Sequence, residues 1–71
     1  MYTIEFVFSK DQGPLLSIFS QKCKAQDIDL HGAGTMHDGS YHVRATFKTA
    51  TEAANFVRWA IVNHVGFTSW Y

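Results

Sequence analysis

The residues of this chain with chemical potential are its four histidines, its single cysteine and the stretch Asp11-Gln12-Gly13-Pro14. Histidine is the commonest metal ligand and a ready general base. Either role needs convergence, and the spacing does not predict it. His31 and His42 fall on the paired strands of a hairpin, two pair positions apart, on the order of 10 Å. His37 falls in the turn between them. His64 falls at a helix C-terminus, where a cation complements the dipole. No metal site is expected. Cys23 has no second thiol for a disulfide or a Cys-based metal pair, and its helical spacing places it in the core. No serine, cysteine or carboxylate pair stands in an activated arrangement. Glu5 and Arg44 are expected to pair across two central strands as structural support. The expectation is a protein without cofactor and without catalysis.

The stretch before the first helix is more suggestive. Asp11-Gln12-Gly13-Pro14-Leu15-Leu16 brings a glycine to a helix N-terminus, where free N–H groups and the dipole favour a carboxylate or other anion. An ordinary helix start with Gly13 as N-cap explains the same residues.

Composition limits the partners. The chain has 71 residues, 46% hydrophobic and 15% aromatic, with a formal net charge of zero. That is enough apolar material for one small domain, residues 1–71. Neutrality argues against general affinity for nucleic acid or an anionic membrane. The segment Met1-Tyr2-Thr3-Ile4-Glu5 has neither a basic region nor a long apolar run, so neither signal peptide nor membrane span is expected. A soluble cytoplasmic protein is the expectation.

The elements that position these residues follow from periodicity. Strict alternation over Tyr2–Phe8 predicts a strand with Tyr2, Ile4, Phe6 and Phe8 on one face and Thr3, Glu5 and Val7 on the other. Pro14 suits the first position of a helix carrying Leu15, Leu16, Phe19 and Cys23 on one stripe. Asp38-Gly39 predicts a two-residue type I′ turn. That turn pairs Met36, Gly34, Gly32 and Leu30 with Tyr41, Val43, Ala45 and Phe47 on one face. On the other it pairs Thr35, Ala33, His31 and Asp29 with His42, Arg44, Thr46 and Lys48. Thr49 or Thr51 caps a second helix running to about His64, with a core stripe of Ala53, Phe56, Val57, Ala60 and Ile61. Val65 to Tyr71 forms a last short strand.

The order strand, helix, strand, strand, helix, strand is the split βαβ of the α+β, ferredoxin-like fold. Right-handed crossovers put both helices on one face of a four-stranded antiparallel sheet. That fold hosts many functions. RNA-binding versions stack bases on aromatics of the central strands. Here those outward positions are Thr3, Glu5, Val7, His42, Arg44, Thr46 and Lys48, none of them aromatic. Metallochaperone versions need two thiols in the loop after the first strand, and acylphosphatase versions need an arginine there. The loop has neither.

The pattern Asp11-x-Gly13-Pro14-x-Leu16, then a helix, Ala25-x-x-Ile28-x-Leu30, a glycine-punctuated hairpin and a second helix resembles an ACT domain, with the glycine here ahead of the proline. The resemblance implies a small regulatory module that binds an amino acid or similar small anion between paired domains. It implies ligand contacts from Asp11, Gln12 and Gly13, with His31 and Gly32 on the second strand, and a homodimer as the working unit.

Apolar surface offers a second expectation. The stripe of the second helix leaves Trp59 and Val62 pointing away from the sheet beside Arg58, and alternation sends Trp70 to the open sheet face with Ala33. Tryptophan is enriched where interfaces bury energy. A protein-interaction domain acting through these residues, a small inhibitor or adaptor, is the alternative. The strand Ile28–Met36, with Gly32, Ala33 and Gly34, is also a candidate for pairing between subunits.

Overall fold

The computed structural model describes residues 1–70, and side chains as far as Thr68. Tyr2–Phe8 form strand β1, and its odd–even alternation buries Ile4, Phe6 and Phe8. A short 3₁₀ turn, Lys10–Gln12, leads into helix α1, Gly13–Ala25. Strands β2 (Asp29–Thr35) and β3 (Tyr41–Phe47) follow, then helix α2 (Ala50–Val62) and strand β4 (Gly66–Trp70). The sheet is antiparallel in the order β2-β3-β1-β4, which leaves β2 and β4 as edges. The arrangement is α+β and compatible with a ferredoxin-like one.

Both helices cover one face of the sheet, as the ring contacts show. Phe19 of α1 lies 4.9 Å from Phe6 of β1, and Phe56 of α2 lies 5.1 Å from Phe47 of β3. Phe19 and Phe56 themselves meet edge-on at 5.7 Å. Such pairs contribute about 0.5–1.5 kcal/mol each beyond their area burial. Cys23, Val43, Ala45, Ala53, Ala60 and Val65 close the rest of the core. Lys22 holds its ammonium 5.4 Å above the Phe56 ring, so its stem seals the groove between the helices.

Helix starts and ends have identifiable causes. Thr49 Oγ1 accepts from Glu52 N at 3.2 Å, and Glu52 Oε1 accepts from Lys48 N at 3.3 Å, which caps α2. Pro14 sits at the second helical position rather than the first, because Gly13 already has helical dihedrals (φ −51°, ψ −46°). Gly13 is therefore not the N-cap. Both helices end in the same paired bond. Ile28 N donates to Cys23 O at 2.9 Å and Asp27 N to Lys24 O at 3.3 Å. Val65 N donates to Ala60 O at 2.8 Å and His64 N to Ile61 O at 3.3 Å. These are Schellman ends, and their left-handed positions hold Asp27 (φ 56°) and His64 (φ 59°) instead of glycine.

The hairpin departs from the two-residue turn expected of Asp38-Gly39. Gly39 N donates to Met36 O at 3.0 Å and Met36 N to Ser40 O at 2.8 Å, so His37, Asp38 and Gly39 all lie in the loop. Asp38 Oδ1 accepts from Ser40 N at 2.9 Å and from Ser40 Oγ at 2.7 Å. That side-chain bond fixes Asp38 at negative φ and leaves only Gly39 left-handed (φ 87°), the three-residue solution rather than type I′. A bulge then adds a second shift. Between the pairs His31↔Arg44 and Gly34↔His42, Gly32 and Ala33 together oppose Val43. As a result His31 faces Arg44 instead of Thr46, Leu30 faces Ala45 instead of Phe47, and Gly34 faces His42 in place of Thr35.

The buried face of α2 is also narrower than its apolar spacing suggests. Ile61 is 60% exposed, and Trp59 is partly buried against the core. At about 100° per residue, Trp59 stands roughly 60° to one side of Phe56 and Ile61 roughly 140° to the other. The buried stripe is Ala53, Phe56 and Ala60. Counting Ile61 within it displaces its centre and turns Trp59 wrongly to the outside.

Candidate functional site

The loop at the end of β1 is held from within. Ser9 N donates to Gln12 Oε1 at 2.9 Å, while Gln12 Nε2 donates to Asn63 O at 3.3 Å and His64 O at 3.1 Å. Gln12 thus fastens the start of α1 to the end of α2, and its amide is occupied by backbone on both sides. Asp11 and Gly13 are exposed. A Cβ built on Gly13 meets nothing within 4 Å, and its φ is ordinary, so the fold itself makes no demand for glycine there. What Gly13 provides is open space over the first turn of α1.

His31 and Gly32 stand elsewhere. His31 lies in the row of Arg44, Glu5 and Thr68, whereas the loop follows Phe8, three rows further along the strands. At strand rise that is about 10 Å. His31 Nε2 is 2.8 Å from Thr46 Oγ1, itself 3.1 Å from Thr3 Oγ1, so His31 belongs to the sheet face opposite the helices. Gly32 is the left-handed residue of the bulge (φ 63°). Glycine takes that conformation without strain, and a Cβ there would approach Arg44 Nη1 to 3.1 Å, so the guanidinium would have to give by a few tenths of an ångström. Within one copy, then, Asp11, Gln12 and Gly13 form one group, and His31 and Gly32 another.

The open sheet face carries a polar chain that spacing alone did not reveal. Glu5 receives Arg44 Nε on one carboxylate oxygen at 3.4 Å, the expected pair, and His42 Nδ1 on the other at 3.2 Å. His42 Nε2 lies 3.2 Å from Ser40 Oγ, which bonds to Asp38. The two Ser40 donors, followed by the backbone N–H of Asp38 and then the charge of His42, hold the Asp38 carboxyl below its ordinary range. Ser40 is buried. The signal was available in period two: Ser40, just ahead of β3, and positions 42 and 44 within it share a face with Glu5.

The expected interaction residues are dispersed. Val62 is 70% exposed and Arg58 is exposed on the outer side of α2, while Trp59 packs inward between Phe8 (6.4 Å) and Phe19 (5.8 Å). Ala33 is exposed in the β2 bulge. The side chain of Trp70 lies outside the described residues. Ile18, exposed on α1, and Ile61 are apolar surface that the sequence reading had not singled out.

At the far end of the sheet from the loop, Met1, Asp27, Asp29, Thr46 and Lys48 line an open depression of about 170 Å³, which shares no residue with the expected ligand set. Among the described residues, no three His, Cys, Asp or Glu side chains group as metal ligands do. No helix among them is long and apolar enough to cross a membrane. Compared with protein-family models, curated proteins and solved structures, the chain matches none.

Proposed function

We propose that the chain is a non-catalytic binding module of ferredoxin-like topology, resembling an ACT domain, that works as a pair of identical copies. The strand order β2-β3-β1-β4 with both helices on one face supports that topology. In this reading a small amino acid or similar anion is held between Asp11 and Gly13 of one copy and the His31–Gly32 stretch of the other. Gln12 positions the loop through the carbonyls of Asn63 and His64.

The observation that carries the reading is the edge strand β2. Every residue from Asp29 to Thr35 except Gly34 is exposed, and the strand holds the half of the ligand set that its own loop does not reach. A second copy brings the halves together. Its test is complementation. A Cβ at Gly13 meets nothing within 4 Å, so Gly13→Val is expected to keep stability while abolishing the thermal shift that an amino-acid ligand gives the wild type. His31→Ala is expected to do the same. Mixing equal amounts of the two variants regenerates one intact site per heterodimer and, with half of the dimers being heterodimers after exchange, restores about a quarter of the wild-type binding capacity. Binding by either variant alone, or a mixture as inert as its components, contradicts a shared site.

The second reading is a protein-interaction domain. It is favoured by the exposed Ile18, Ile61 and Val62, which a folded monomer of this size leaves to solvent. Val62→Lys, exposed and with a cation that suits the C-terminal end of α2, separates the two readings: it breaks partner capture and leaves ligand binding unchanged.

A further inference from the structure

The chain Asp38–Ser40–His42–Glu5 contains more contacts than a neutral imidazole can satisfy. The Ser40 hydroxyl has one proton, and at 2.7 Å it is given to Asp38 Oδ1. Ser40 Oγ then faces His42 Nε2 at 3.2 Å with lone pairs only, so that contact needs a proton on Nε2. The contact of Nδ1 with Glu5 Oε2, also 3.2 Å, needs a proton on Nδ1. A neutral ring carries one N–H and the imidazolium carries two. Only the imidazolium makes all three bonds at once.

We propose that His42 is a proton-dependent latch fastening the β2–β3 turn to strand β1. With both ring nitrogens protonated, the turn residues Asp38 and Ser40 are tied through the ring to Glu5. When the ring loses a proton, the charge-assisted bond to Glu5 is the one worth keeping, so the remaining proton stays on Nδ1. Nε2 becomes an acceptor facing Ser40 Oγ, whose one proton is already given to Asp38, so the contact between the ring and the turn is broken while Asp38 keeps both Ser40 donors. The turn loses one hydrogen bond, and the hairpin end loosens.

The surroundings are specific enough to attribute the effect. Glu5 on β1 is the carboxylate on the ring, and Asp38 reaches it through Ser40. Arg44, two residues along β3, shares Glu5 through its other oxygen. The residues directly opposite His42, Val7 on β1 and Gly34 on β2, carry no charge. His31 stands in the next row beside Arg44, and His37 lies in the turn itself. The latch does not depend on whether anything binds at the Gly13 loop.

The test is hydrogen exchange at the amides of Met36 and Gly39, which bond across the turn to Ser40 O and Met36 O. It is run on the whole chain as a function of pH, with the protonation of the His42 ring followed in parallel by its ¹⁵N shifts, and corrected for intrinsic exchange. Protection is expected to fall about fivefold as His42 loses its proton, the worth of one net hydrogen bond. In Ser40→Ala and in His42→Gln it is expected to stay flat. A second readout needs no variant: the ring ¹⁵N shifts of wild-type His42 should report both nitrogens protonated at low pH and the Nδ1–H tautomer at high pH. Protection independent of the His42 titration, the same pH dependence in Ser40→Ala, or an Nε2–H tautomer at high pH each overturns the latch.

Discussion

The ring of Trp59 lies 5.8 Å from that of Phe19, inclined by 34°, and bridges the two helices over Phe8. A residue whose type suggests an outward anchor is thus part of the core. Trp59→Ala is expected to cost about 3 kcal/mol, the low end for large aromatic truncations because the indole is only partly buried. An exposed interface residue would change stability by less than about 0.5 kcal/mol. Urea unfolding of the variant against the wild type distinguishes the two.

Gln12 is tied to α2 by its side-chain amide and to Ser9 by its carbonyl. Gln12→Ala removes these bonds at once and leaves the carbonyls of Asn63 and His64 to water. A loss of about 1–2 kcal/mol is expected, whereas Asp11→Ala, one position earlier and exposed, is expected to be nearly neutral. Denaturant midpoints of the two variants check the difference.

Both helices end on a left-handed residue that is not glycine, Asp27 and His64. The left-handed region costs an L residue about 1–2 kcal/mol, most for bulky side chains, and glycine avoids most of that. Asp27→Gly and His64→Gly are each expected to stabilise the fold by about 0.5–1 kcal/mol and to raise Tm by a few degrees. The double variant should show nearly additive gains, since the two ends share no partner. Calorimetry of the three variants is the check.

Burial pushes the Cys23 thiol up from the ordinary 9.0 to about 12, against a smaller opposing pull from Lys22. Because burial favours the neutral thiol, its contribution to stability is complete below about pH 9. As pH rises further the unfolded chain ionises first, and stability falls until the native thiol itself titrates near 12. Stability should therefore decline more steeply above pH 9.0 in the wild type than in Cys23→Ala. Native-state alkylation should proceed only through unfolding.

Much of the fold was legible from period alone. The alternation of Tyr2–Phe8, the Thr49 cap and the Phe19–Cys23 stripe depend on local spacing, the Glu5–Arg44 pair follows from placing β1 beside β3, and the structure carries each of them. The hairpin register was not legible, because it turns on which acceptor Ser40 chooses. Once Asp38 takes both Ser40 donors, the loop gains a residue, and the Gly32 bulge adds another shift. Trp59 was misplaced because Ile61, an apolar residue at the margin of the stripe, was counted inside it. Gln12 has partners 51 and 52 residues away, and no local pattern announces such a bond. In the candidate ligand set, the types and positions of Asp11, Gly13, His31 and Gly32 were readable, but their division between two parts of one copy depends on the sheet register.

Sedimentation equilibrium of the purified chain over a wide concentration range tests the paired-copy account most directly. A reversible dimer that tightens in the presence of the amino acid giving the largest thermal shift is the expected result. A species that remains monomeric at the highest concentration, with and without such a ligand, contradicts it.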